Sequence, residues 1–164
     1  MWRVESNQVV MAARLRHTAT GEELAVVTTH LKARKGALLS TLRAEQGADI
    51  LAWLASVLPC PYTPVVLTGD LNAPPTELVI PILTGSSVTP LSSSYDLDTG
   101  DWTTWKIRDS GEEKYTLDYV LHGPRLETSR VLAMPEAGEV GEGRLPSLQF
   151  PSDHMTLVVD LNIL

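Results

Sequence analysis

The sequence predicts a layered α/β protein built on a mixed β-sheet. Three observations predict it. Two apolar runs flank a turn near the N-terminus, a short continuous apolar run follows a helical segment, and strand-like runs outnumber helical ones. Residues 9–16 read as a first strand, and Thr18, Thr20 and Gly21 supply turn chemistry. Residues 24–31 read as its hairpin partner. Residues 32–39 form a loop carrying positive charge. Ser40 is then a candidate N-cap for a helix over about 41–58, where Ile50, Leu51, Leu54, Val57 and Leu58 recur at helical spacing. Pro59, Cys60 and Pro61 would end that helix. Residues 64–68 match a strand covered on both faces, so a strand–helix–strand unit follows.

Beyond this point the pattern is looser. Thr76 is a candidate cap for a short helix whose interior Pro81 would distort. Residues 86–100 read as a surface loop. Residues 103–107 and 115–121 read as paired strands around a turn at 109–112. A strand near 129–133, a Gly- and Glu-rich loop over 135–146 and a final strand over 155–161 complete the chain.

A chain of 164 residues is long enough to bury one core and form one domain. No run approaches the roughly 20 apolar residues of a membrane span, so no membrane partner is expected. The single cysteine, Cys60, cannot make an internal disulfide and fits a reducing compartment. The expected location is therefore intracellular, in the cytoplasm, with the mitochondrion as alternative. The net charge of −7 argues against broad, nonspecific attraction to nucleic acid.

The chemistry-bearing residues sit next to apolar runs. Asp70 and Asn72 follow the buried strand in the segment Gly69-Asp70-Leu71-Asn72. There a carboxylate could take a proton from water while the amide donates to a phosphate oxygen. The structural alternative is an Asx turn ending a strand. Asp153 and His154 precede the last strand in Pro151-Ser152-Asp153-His154. Their functional reading gives His154 contact with a phosphate and Asp153 contact with a hard cation; the alternative is a surface turn. Asp118, inside an apolar strand, would either orient an imidazole or lie on an exposed face. His30 ends another strand, as phosphate contact or structural histidine. Lys32, Arg34 and Lys35 follow His30, and Lys106 and Arg108 flank Trp105. These cations would clamp phosphate and Trp105 would stack a base, or they form a solvated loop and a core tryptophan. Walker-type Gly-Lys-Ser/Thr and Gly-x-Ser-x-Gly segments are absent, as is a multi-cysteine zinc set. Carboxylate–histidine–metal chemistry is what remains.

In order, His30, Asp70 with Asn72, Asp118, and Asp153 with His154 resemble the endonuclease/exonuclease/phosphatase superfamily. Thr29-His30-Leu31-Lys32-Ala33-Arg34, Arg43-Ala44-Glu45-Gln46-Gly47, Trp105-Lys106-Ile107-Arg108 and the block from Arg144 to His154 are similar to its nocturnin and carbon-catabolite-repressor-type deadenylase branch. The resemblance implies a four-layer sandwich of two mixed sheets flanked by helices, and phosphoester hydrolysis with magnesium, or manganese, as cofactor. It implies that Asp70 activates water, that Asn72, His30 and His154 serve the phosphate, and that Asp118 orients His154. Asp153 would lie at or near the metal. Lys32, Arg34 and Arg108 match positions that hold phosphate of a nicotinamide dinucleotide.

The implied substrate is the 3′ end of RNA, poly(A) above all, with the 2′-phosphate of a phosphorylated nicotinamide dinucleotide as alternative. A noncatalytic nucleotide- or protein-binding module and a DNA nuclease are the rivals. The family's metal-binding Glu lies upstream of the first strand recognised here. The expectation is therefore a C-terminal portion of one domain, weakly active by itself, whose exposed sheet surface favours a homodimer.

Overall fold

The computed structural model describes residues 7–58, 62–97 and 102–164. Its centre is a five-stranded mixed sheet in the order β1-β2-β3-β7-β4. Strands β1 (Val10–Arg16) and β2 (Glu23–His30) form the expected hairpin. Helix α1 (Ala37–Val57) returns the chain to β3 (Val65–Asp70), which lies parallel to β2. That is the strand–helix–strand unit read from the apolar pattern.

Helix α1 begins earlier than Ser40. Its N-cap is Gly36, at φ 131°, a conformation that glycine adopts without steric cost. The Ser40 amide already donates to the Gly36 carbonyl (2.9 Å), so Ser40 lies within the helix. The proline-flanked segment expected to end α1 falls outside the described residues. Helix α2 (Val79–Thr84) accommodates Pro81 without distortion. Pro81 occupies the first turn, where a backbone N–H has no intrahelical acceptor to lose.

The loop after α2 contains the short strand β4 (Ser92–Ser93). The two strands expected around residues 103–121 are three. β5 (Thr104–Arg108) and β6 (Gly111–Tyr115) form a separate hairpin. β7 (Asp118–His122) leaves it to join the central sheet, antiparallel to β3. Thr103 makes the break: its Oγ1 accepts from the amides of Leu117 (2.9 Å) and Asp118 (3.1 Å). Strand β8 (Leu126–Val131), the four-residue helix α3 (Ala137–Val140) and β9 (Val159–Ile163) follow. β8 and β9 pair antiparallel as a second sheet.

Period-two alternation gives the central sheet two different faces. Ala25, Val27, Val65, Leu67, Tyr119 and Leu121 point to one face and pack with Ile50 and Leu54 of α1 and Val79 and Leu83 of α2. Val66 and Val120 point to the other and pack with Leu126, Val159, Leu161 and Ile163 of the second sheet and with Leu157 just before β9. Val27, Leu67, Leu121 and Leu54 are fully buried or nearly so, and each such side chain contributes about 1.5–3 kcal/mol. Helices, mixed sheet and second sheet therefore form successive layers, an α/β sandwich as expected. On β1 the covering is incomplete. Met11 and Leu15 remain 65% and 50% exposed, beside an outer edge with no paired strand among the described residues.

Candidate active site

Strand register assembles the site. In the central sheet His30 of β2 is paired with Asp70 of β3, and Asp70 with Asp118 of β7. The three residues make one row across three neighbouring strands, spaced by the ~4.8 Å between strands. Counting alternation back from Val66 and Val120 puts Asp70 and Asp118 on the face opposite the helices. That face also receives the loop before β9, and with it His154. Its Nδ1 lies 2.8 Å from Asp118 Oδ2. Ligand atoms of Asp70, Asp118 and His154 all lie within 4.8 Å of one another. Residues far apart in sequence thus converge on one point.

Gly69 makes the approach of β2 and β3 possible. It has φ 152°, and a Cβ there would lie 1.9 Å from the Thr29 carbonyl oxygen. Next to it, Asp70 Oδ1 accepts the Asn72 amide (2.8 Å), and Asn72 takes φ 50°. This is an Asx turn, and it coexists with the row of polar side chains: the turn aims Asp70 while leaving Oδ2 toward the row. Asn72 Nδ2 donates to the Leu31 carbonyl (3.1 Å), which leaves its second amide hydrogen for a ligand. Tyr119 Oη donates to the Ala73 carbonyl (2.6 Å) beneath this loop. The turn at Ser152 is likewise present, since Ser152 Oγ accepts the His154 amide (3.1 Å). Thr104 Oγ1 donates to the Asp153 carbonyl (2.8 Å) and Thr103 O accepts the Met155 amide (2.7 Å), fixing that loop to the β5 end.

The environment raises two titrating groups of the site. Burial raises the Asp70 carboxyl above its ordinary range; the Asn72 amide opposes that, and the neighbouring Asp118 adds to it. The hydrogen bond to Asp118 raises the His154 imidazole, and Asp118 and Asp70 add to this electrostatically. Asp118 Oδ2 also accepts from Thr103 Oγ1 (2.5 Å), so two donors hold it in place. A carboxyl moved toward neutral pH is a better general base, and an imidazole moved upward keeps its proton near an anion.

The other expected residues lie around this centre. His30 Nε2 is 3.4 Å from Asp70 Oδ2, but its side chain is 68% exposed, at the rim. Asp153 pairs with Lys106 (2.6 Å), which holds its carboxyl below the usual range. It lies outside the group of three potential ligands. Lys106 also comes within 3.3 Å of His154 Nε2. Its place here was legible only as one of several cations around Trp105. Lys32 and Arg34 lie in the loop that leaves β2 beside the site. Arg108 ends β5, and the hairpin faces the loop: Lys35 donates to Glu113 (2.9 Å), and with Arg108 and Lys106 it keeps that carboxyl low. Trp105 is buried, edge-on to Trp102 at 5.2 Å, with Arg144 over its ring. It is a core residue and offers no platform for a base.

The family described as Endonuclease/Exonuclease/phosphatase matches residues 5–154. The chain belongs to this family. It is thereby placed among hydrolytic nucleases and phosphatases. Nocturnin of Drosophila melanogaster is 41% identical over 189 residues, covering 100% of this chain and 29% of the relative. Nocturnin of Homo sapiens is 37% identical over 166 residues, covering 97% of this chain and 38% of the relative. The solved human Nocturnin catalytic domain with bound sulfate anion superposes with a TM-score of 0.77 at 32% identity, covering 98% of this chain and 55% of that one. The chain thus spans less than half the length of these curated relatives. No helix among the described residues is long and apolar enough to cross a membrane.

Proposed function

We propose that this chain carries the carboxylate–histidine centre of a metal-assisted phosphohydrolase that removes the 2′-phosphate of a phosphorylated nicotinamide dinucleotide. The observation that carries the reading is the convergence of Asp70, Asp118 and His154 within 4.8 Å, with the basic loop of Lys32, Arg34 and Lys35 following His30. Asp70, with its raised pKa, takes the proton from the attacking water. Asn72 offers an amide hydrogen to a phosphoryl oxygen, and His30 contacts the phosphate from the rim. Asp118 fixes the His154 ring through Nδ1, so that Nε2 and Lys106 Nζ converge on the cleft and meet an anion together. Lys32, Arg34 and Arg108 hold the remaining phosphate charge.

Two carboxylates and an imidazole this close fit a divalent cation, magnesium or, given the imidazole, manganese. Such an ion supplies charge neutralisation at the phosphoryl oxygens. Asp118 would hold it, with Asp70 beside it as the base. Asp153 would approach it only by leaving Lys106. Among the described residues no Glu joins the cluster. The reading therefore takes a further metal ligand to come from outside the described residues, with low activity where it is missing.

The substrate choice rests on charge. The cations assigned to phosphate, Lys32, Arg34 and Arg108, are few in a protein of net charge −7, which suits a compact phosphorylated ligand better than a long polyanion. The second reading is hydrolysis at the 3′ end of RNA, which the centre itself would serve equally well and which the deadenylase-like segments favour. Incubating the complete natural protein with magnesium and each substrate decides. Phosphate released from the dinucleotide and lost with a chelator is the expected result; shortening of poly(A) alone would give the RNA reading, and binding without turnover the noncatalytic one. Exposed Met11 and Leu15 of β1 are where a homodimer would form, and sedimentation over a concentration series reads it.

A further inference from the structure

Arg43 is the largest fully buried side chain among the described residues, at 1% exposure. It lies on the apolar stripe of α1, in line with Gly47, Ile50 and Leu54. A guanidinium in such a place must have all its charge and hydrogen bonds compensated. Glu77 supplies the charge: Nε donates to Oε2 (3.0 Å) and Nη2 to both carboxylate oxygens (2.7 and 2.8 Å). Nη1 donates to two backbone carbonyls, those of Lys32 (2.8 Å) and Arg34 (2.9 Å). One side chain therefore ties the loop leaving β2 to the loop leaving β3.

The loop is curled around this contact. Carbonyls two residues apart converge on one nitrogen, and Arg34 adopts φ 83°, a conformation that costs a non-glycine residue energy. The Lys32 amide donates to Gln46 Oε1 of α1 (3.1 Å), one turn from Arg43. Glu77 follows Asn72 through a turn closed by its own amide and the Pro74 carbonyl (2.9 Å). A hydrophobic residue at position 43 would pack against α2 as well, yet it would leave both carbonyls and the curled loop unheld. The burial of a full charge here is explained by the loops it connects.

We propose that Arg43 is a positioning residue: from beneath, it sets the backbone shape that presents Lys32 and Arg34 to the phosphate of the substrate. The proposal rests on the phosphate-binding reading of those two side chains. Arg43 touches no substrate, so its removal acts on binding more than on the chemical step.

The test uses the complete natural protein, Arg43→Lys, and the double variant Arg43→Met/Glu77→Met, which leaves no buried charge unpaired if the lysine variant fails to fold. In both, KM for the 2′-phosphorylated nicotinamide dinucleotide is expected to rise at least about tenfold while kcat stays within about threefold, the scale of a misplaced binding loop. Amide exchange at residues 33–36 should quicken while that of Ile50 and Leu54 in α1 stays slow. Unchanged KM, or a proportionate fall of kcat with quickened exchange throughout α1, would overturn the proposal. If the wild type turns over no dinucleotide, the proposed function fails separately. Dinucleotide affinity by equilibrium dialysis and exchange at 33–36 then decide, weaker binding with a loosened loop supporting the role of Arg43 and unchanged values refuting it.

Discussion

Replacing Asp118 by Asn tests whether His154 is held as a charged partner of the site. Asp118 Oδ2 accepts from His154 Nδ1 at 2.8 Å and from Thr103 Oγ1 at 2.5 Å, and its side chain is only 18% exposed. Asn preserves shape and removes the charge. A hydrogen bond to a charged group is worth about 1.5–3 kcal/mol against about 1 kcal/mol for a neutral one. The interaction with His154 should therefore weaken by about 1–2 kcal/mol, which corresponds to a loss of about 5–30-fold in kcat/KM if felt fully in the transition state. The sign with pH follows from the raised His154 pKa. The protonated ring stabilises the fold fully below the pKa of an unfolded histidine, and that contribution is lost as pH rises through the folded value. Asp118→Asn should thus lower the melting temperature more at pH 5.5 than at pH 8.5, and bring the NMR titration of His154 down toward ordinary histidine. An unchanged His154 titration with kcat/KM within about threefold of wild type would refute the pairing.

Asp70→Asn should remove activity, by a factor of at least about 100 for a lost general base, and yet raise the melting temperature at pH 7. Burial raises the Asp70 pKa, so the folded protein loses stability as pH rises from the unfolded carboxyl range through the folded one, and Asn escapes that loss. The gain should vanish near pH 3, and a variant less stable than wild type at pH 7 would speak against it. Gly69→Ala should destabilise by about 3 kcal/mol or more through strain and collision, because its Cβ would meet the Thr29 carbonyl at 1.9 Å. Urea unfolding reads this directly, and a midpoint equal to wild type would show that the β2–β3 approach is looser than described.

The site was legible wherever its residues end strong strands. The apolar runs before His30 and Asp70 fix their alternation, and the run around Asp118 does the same, so three members of the row are visible in sequence. That the three strands are neighbours is not visible, because pairing depends on contacts between distant segments. Ser40 misplaced the start of α1 because a side-chain cap is a familiar signal, whereas Gly36 starts the helix through backbone conformation alone. The separation of β6 from β7 depends on the Thr103 hydroxyl receiving two amides from another segment, a tertiary bond with no local pattern. Asp70 and Ser152 show a further point. Both turn readings hold, and the same turns orient the side chains of Asp70 and His154 to which the functional readings point. Arg43 carried a signal that could have been used: a charge falling on the 3.6-residue stripe with Ile50 and Leu54. Lys106 did not, because several cations surround Trp105 and only the structure selects the one beside His154.

The central claim is that water, activated by Asp70, attacks the phosphorus of a substrate phosphate. Turnover of the 2′-phosphorylated dinucleotide by the complete natural protein, with magnesium in ¹⁸O-labelled water, tests it most directly. One ¹⁸O atom is expected in each released phosphate, with almost no release by Asp70→Asn. Unlabelled phosphate, or release by Asp70→Asn at the wild-type rate, would contradict it.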